Sequence, residues 1–300
     1  MRSNMPAPKG SVILFVASFF FGSSAILIRF ATEASAISLT FFRLLIAAVA
    51  MILFAVASHS LRSLEKQDLL LVVVSGAMLS LHFVTFIFAV KETTIANATF
   101  LVNTSPIMLA VISPLLIKEK TTYREWIAVA VATLGILLVA NAGNGFRAFG
   151  LGDLSAILAA FFVAIYTIVG RYLRTSQIST ACYTSYVYSA ATVTSLAMVA
   201  FSPAQTLKPY DFQNLLAIIG LGIFPTTLGH TLYNHALGSV KTVTANLFPL
   251  MEPIIASLLA VVLFAEIPTI TQAAGYSLIL AGVVIVAGSM TQDSRKSRRV

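Results

Sequence analysis

Two groups of side chains stand at helical spacing inside otherwise apolar stretches. His82, Thr85 and Phe86 lie at i, i+3 and i+4, and His230, Tyr233 and Asn234 repeat that spacing further along, so each group shares one face of a helix. Together they offer donors, acceptors and ring surface. Two readings stay open for each group: opposed walls of a central substrate cavity, or interhelical hydrogen bonds that hold a bundle together. Glu252 is the one acidic residue deep within an apolar run, and it stands between Pro249 and Pro253. Each proline lacks an N–H and frees the carbonyl four residues earlier, here Ala245 and Pro249, and Pro106 does the same to Val102. Broken backbone at membrane depth is tolerated where it lines a water-filled cavity. A carboxylate there is expected to bind a substrate ammonium or to carry a proton, and pairing with a buried donor is the structural alternative.

The large rings Tyr166, Tyr186 and Phe248 suit a pocket for amino-acid side chains. Pro106, Pro225, Pro249 and Pro253 are the expected hinges. Arg43 is open to three readings: snorkelling to the membrane edge, pairing with an acid, or binding a substrate carboxylate. It falls nearer the outer end of its run, where outward snorkelling is the easier option, and the structural reading is expected. No Walker loop, His-Glu-x-x-His or Gly-x-Ser-x-Gly occurs, so no enzyme is expected. One cysteine, Cys182, excludes an intrachain disulfide and a cysteine-cluster metal site. No cofactor, no metal and no nucleic-acid partner is expected.

The elements that must position these residues are apolar runs. Of 300 residues, 58% are hydrophobic and 10% charged, and the mean hydropathy is +0.92, against roughly 25% charged in a soluble domain. Runs long enough to span a bilayer, about 20 residues each, cover 11–31, 37–57, 69–90, 97–117 and 126–142. Five more cover 154–170, 181–201, 215–237, 243–264 and 272–289. None shows the period-two alternation of a β-barrel strand. An all-α polytopic membrane protein with ten transmembrane helices is expected. The first run is too long for a secretory h-region and is read as retained.

Orientation follows from the basic residues. With the N-terminus inside, fourteen of the 19 Lys and Arg fall on inside segments, including Arg62, Lys118, Arg171, Lys241 and the tail Arg295–Arg299. Only Arg29, Lys91, Arg147 and Lys208 fall outside, so both termini are expected in the cytoplasm. The tail reads as a solvated anchor, Trp126 as an interfacial one, and Gly275 and Gly282 as sites of close helix packing.

A shift of 147 residues superposes Ala98 on Ala245, Pro106-Ile107 on Pro253-Ile254, Glu119 on Glu266, Thr122 on Thr269 and Gly135 on Gly282. A shift of 142 brings Arg29 onto Arg171. Repeats of five helices each enter the membrane in opposite senses, the arrangement typical of secondary transporters. The expected organisation is 1–145 as the first repeat, 146–290 as the inverted second, and 291–300 as a basic cytoplasmic tail.

Thr104-Ser105-Pro106 through Lys118-Glu119-Lys120, with Gly135–Val139, resembles the first EamA-type module of the drug/metabolite transporter superfamily. Phe248–Pro253, Ala265-Glu266 and Gly282–Ile285 resemble the second, and Phe42-Arg43-Leu44-Leu45 is similar to the family's second-helix pattern. The resemblance covers nearly the whole chain and stands closest to bacterial amino-acid exporters. It implies a secondary transporter in the bacterial inner membrane that exports small amphipathic metabolites, aromatic and other neutral amino acids foremost. Another metabolite, such as a drug-like cation or a nucleotide-sugar, is the alternative within transport. A lipid-modifying membrane enzyme would need clustered His or acidic residues at one face, and a channel would need a filter-like loop or charged ring.

Overall fold

Regular structure among the described residues is helical throughout. The computed structural model describes residues 7–93, 95–141, 149–176, 178–202, 209–264 and 267–297. In lipid the backbone has no polar partner but itself, and a helix satisfies each N–H and C=O within its own segment. The first run forms α1 (Ala7–Gly22) and α2 (Ser24–Phe30), the second α3 (Ala36–Ala57) and the third α4 (Lys66–Glu92). The fourth divides into α5 (Ile95–Val102) and α6 (Ser105–Leu116), and the fifth is α7 (Tyr123–Asn141). Next come α8 (Leu151–Thr175) and α9 (Thr180–Ala200). The eighth run is α10 (Phe212–Leu221), a π-helical stretch Gly222–His230 and α11 (Thr231–Leu237). The ninth is α12 (Thr242–Leu247), a 3-10 turn Pro249–Met251 and α13 (Glu252–Phe264), and the last is α14 (Ile270–Ser297).

Nine segments among the described residues are long and apolar enough to cross a membrane. The segment that falls short is α9, which has 21 residues and no charge but many Ser, Thr and Tyr side chains. Several of its hydroxyls turn back onto the helix itself: Thr184 donates to Thr180 O at 2.8 Å, Ser189 to Ser185 O at 2.7 Å and Thr192 to Tyr188 O at 2.7 Å. These bonds satisfy polar atoms that would otherwise be costly in an apolar setting. Outward faces elsewhere carry exposed Leu53, Leu70, Val262 and Val284, as lipid contact requires.

The ends of α7 and α14 are built alike. Thr122 N donates to Glu125 Oε2 at 2.7 Å, and Glu125 N to Thr122 Oγ1 at 3.3 Å. Thr269 N donates to Gln272 Oε1 at 2.8 Å, and Gln272 N to Thr269 Oγ1 at 3.2 Å. Both are reciprocal capping boxes, one at each copy of the repeated threonine. The two helices run antiparallel and touch through glycine: a Cβ on Gly135 would lie 2.6 Å from Gly275 O, and one on Gly282 2.8 Å from Ala128 O. Only a residue without a side chain lets the backbones come that close.

Four runs are interrupted, and proline accounts for three of the breaks. Pro225 cannot donate to Leu221 O, and the Thr226 hydroxyl takes that carbonyl at 2.6 Å. Ahead of Pro249, Phe248 N turns to Ala245 O at 3.4 Å, and Glu252 N bonds Pro249 O to close the 3-10 turn. Pro106 sits in the first turn of α6, where its missing N–H costs nothing. Arg2, Arg147, Lys208, Glu266 and the side chains of the tail lie outside the described residues.

Candidate functional site

The interrupted runs face one cavity, partly open to solvent. Its walls come from both halves of the chain: Phe21, Arg43, His82 and Ser105 from the first, Pro225, His230, Asn246 and Glu252 from the second. Rings dominate one side. The His230 ring centroid lies 4.7 Å from that of Phe21 and 5.0 Å from that of Phe83, each edge-on. His82 stacks on Phe86 with centroids 6.1 Å apart and rings 4° from parallel. His82 Nδ1 lies 2.9 Å from Ala159 O. A carbonyl only accepts, so Nδ1 carries the hydrogen and Nε2 is the ring's remaining polar atom. His230 Nδ1 is buried without a partner.

The charged groups are Glu252 and Arg43. Glu252 opens α13 directly after the 3-10 turn, and its residual exposure of 8% faces the cavity it lines. Among the described residues no hydrogen bond or ion pair reaches its carboxylate. Arg43 is 1% exposed. Its Nε donates to Thr226 Oγ1 at 2.8 Å and its guanidinium lies 3.7 Å from the centroid of the Phe83 ring, while Nη1 has no partner. Thr226 is the residue that Pro225 recruits to mend the π-helical break, so the same local defect fixes the arginine. The outward snorkelling expected for Arg43 is not what the structure shows. The side chain turns inward because the Thr226 oxygen and the Phe83 face lie there.

A neutral relay borders these groups. Thr167 Oγ1 lies 3.3 Å from Tyr233 Oη, Tyr233 Oη donates to Asn246 Oδ1 at 3.2 Å, and Asn246 Nδ2 donates to Ser105 Oγ at 2.7 Å. It joins α8, α11, α12 and α6.

Of the residues singled out in the sequence, Arg43, His82, Phe86, His230, Tyr233, Glu252, Pro225 and Pro249 border the cavity. Pro106 and Pro253 are buried beside its lining residues Ser105 and Glu252. Five others do not border it. The Thr85 hydroxyl folds back to Leu81 O at 2.6 Å. Asn234, one position past Tyr233, turns to Tyr166 Oη and to His230 O at 2.6 Å, so Asn234 and Tyr166 are fully buried behind the His230 wall. Phe248 is buried in the apolar core with Leu14 and Val243. Tyr186 reaches Arg62 O at 3.2 Å, at the connection between α3 and α4. Helical spacing placed these side chains on a face, but not the neighbours which that face meets. Phe21, Asn103, Ser105 and Asn246 line the cavity without having been singled out. The polar run from Asn103 to Ser105 just before Pro106 is the signal that marks two of them.

A second polar cluster lies at the end of the bundle where α8 finishes. Arg171 Nε donates to Glu119 Oε1 at 2.7 Å, and its Nη1 to Leu237 O at 2.6 Å. The other Glu119 oxygen accepts Thr242 N at 3.0 Å, and Thr242 Oγ1 meets Ser113 Oγ at 2.8 Å. Nearby, Thr244 Oγ1 donates to Glu125 Oε1 at 2.7 Å.

Apolar helices broken around a ring-lined polar cavity define a multi-pass membrane protein built to hold a small molecule. The sequence profile of the EamA-like transporter family matches residues 8–141 and again 150–288, and the chain belongs to that family. Its relatives include the uncharacterized transporter YdfC of Bacillus subtilis (strain 168), 28% identical over 83% of this chain and 79% of the relative. Another is the uncharacterized transporter YwfM of the same strain, 27% identical over 93% of this chain and 94% of the relative. A solved crystal structure superposes with a TM-score of 0.76 at 20% identity, covering 96% of this chain and 98% of that one, a likeness of fold alone. The protein is a transporter and not an enzyme, and its partners are a small-molecule substrate and the lipid bilayer.

Proposed function

We propose that the protein is a secondary transporter that exports small amphipathic metabolites, aromatic and other neutral amino acids foremost, by alternating access. Ten helices form two inverted five-helix repeats, 1–145 and 146–290, with α9 as the tenth span and both termini in the cytoplasm of a bacterial inner membrane. The observation that carries this reading is a cavity walled from both halves at the points where their helices break. Such breaks supply local binding groups and hinges at once. Supporting the inversion, α7 and α14 hold matching positions in the repeat and run antiparallel. The crossing of α6 and α12 is also antiparallel, with Ser113 beside Thr242 and Ser105 beside Asn246.

His82, Phe86, His230 and Glu252 serve as direct substrate contacts, while Tyr166, Asn234, Phe248 and Thr85 shape the walls behind them. Pro106, Pro225, Pro249 and Pro253 act as hinges. A drug-like cation is the second reading, favoured by the open carboxylate of Glu252 within an aromatic enclosure. Flux into proteoliposomes of labelled phenylalanine, leucine and an aromatic quaternary ammonium decides between them. Amino-acid flux supports export of amino acids, and flux of the cation alone overturns it.

A further inference from the structure

Arg43 has an unusual environment for a buried charge. The cost of burying a guanidinium is normally offset by a carboxylate and a full set of acceptors. Here one N–H is bonded to a neutral hydroxyl, the plane rests on a phenylalanine ring, and Nη1 is buried with nothing to receive its hydrogens. The cavity's other charged lining residue, Glu252, makes no direct ion pair with it among the described residues. The two residues therefore line the same cavity with bonding capacity left over. An orphaned buried donor is expensive to leave unmade, and in a cavity wall a ligand can supply the missing acceptor.

We infer that Arg43 is the receptor for a substrate carboxylate and Glu252 for its ammonium, so that the cavity selects a dipolar molecule carrying both charges over one carrying either alone. This rests on the cavity being the transport site, and it names the substrate class by the groups that must be present. A guanidinium can grip a carboxylate through two parallel N–H···O bonds, and Nη1 is the unbonded prong of that fork. Phe83 beneath it and Thr226 at Nε hold the plane, leaving little freedom to lose on binding. A substrate with only an ammonium would leave Arg43 unmet, and one with only a carboxylate would leave Glu252 unmet. Discrimination against a partner that fails to satisfy a buried polar group is far stronger than discrimination by size.

Three ligands with the same ring test this: phenylalanine, 2-phenylethylamine and 3-phenylpropionate. Each competes for binding of labelled phenylalanine to the purified full-length protein, with proteoliposome flux measured in parallel. In the unaltered protein, loss of either charged group is expected to weaken competition by about tenfold or more. Arg43→Gln should bring phenylalanine and 2-phenylethylamine to near-equal affinity while 2-phenylethylamine itself binds as before. Glu252→Gln should do the same for phenylalanine against 3-phenylpropionate. Arg43→Lys keeps the charge without the fork, and is expected to retain part of the preference. Should Arg43→Gln fail to fold, the preference of the unaltered protein and the Arg43→Lys ratio still decide. Equal competition by all three ligands in the unaltered protein overturns the inference and leaves transport standing. Absence of both phenylalanine binding and amino-acid flux overturns the amino-acid reading itself.

Discussion

Arginine and glutamate meet twice in this bundle, under opposite rules. At the end of α8, Arg171 and Glu119 touch at 2.7 Å, the other glutamate oxygen accepts from Thr242, and a second arginine nitrogen donates to Leu237 O. In the cavity, Arg43 and Glu252 stand apart, and each retains unmet bonding capacity. The difference separates holding from waiting. A network whose charges already meet each other draws α6, α8 and the start of α12 together. An unsaturated pair is a poor clasp and a good receptor, because its remaining bonds are made only when something enters.

The sharpest way to break that contrast is Glu252→Gln, which keeps shape and removes charge. Flux is expected to fall about tenfold or more, in line with loss of a charge-assisted contact, with normal yield of folded protein. Survival of both flux and its pH dependence would mean that Glu252 binds no ammonium and carries no proton. Glu119→Gln attacks the other side of the comparison. It leaves Arg171 without its ion partner at a site where both side chains are mostly buried, at a cost of about 1–3 kcal/mol. A melting temperature lower by several degrees is expected. Faster maleimide labelling should accompany it when Ser113→Cys is placed in a Cys182→Ala background. Unchanged labelling would show that the network does not hold α6 and α12 together. Smallest of all is Tyr186→Phe, which removes one bond to Arg62 O at 3.2 Å. Stability should change by less than about 0.5 kcal/mol and flux by less than about twofold, whereas a large flux loss would place this ring in the substrate path of another conformation.

Much of the fold is legible in the sequence because lipid imposes a local rule. Length and apolarity locate each helix, and the prolines at 106, 225 and 249 locate breaks in three of them. The site is legible only in part. Glu252 stands out because proline and acid coincide within an apolar run, a signal contained in five residues. Arg43 does not, since its inward turn depends on Thr226, 183 residues away, and nothing near Arg43 encodes that meeting. Asn234 misleads for a related reason. Helical spacing groups it with His230, but the packing of α8 against α11 decides that it meets Tyr166. The Glu119–Arg171 contact is equally non-local, although the repeat marks both residues.

The glycine seam between α7 and α14 bears on how such proteins diversify. Neither helix contributes a residue to the cavity wall, yet each is locked to the other by contacts that tolerate no added carbon. Substrate range can then drift through substitutions at the broken helices while this pair stays constant under a separate selection. A mosaic protein that takes both helices together from YwfM should keep its parent's ligand preference, whereas one that takes a single helix should assemble badly. The unit of inheritance at this seam is the pair.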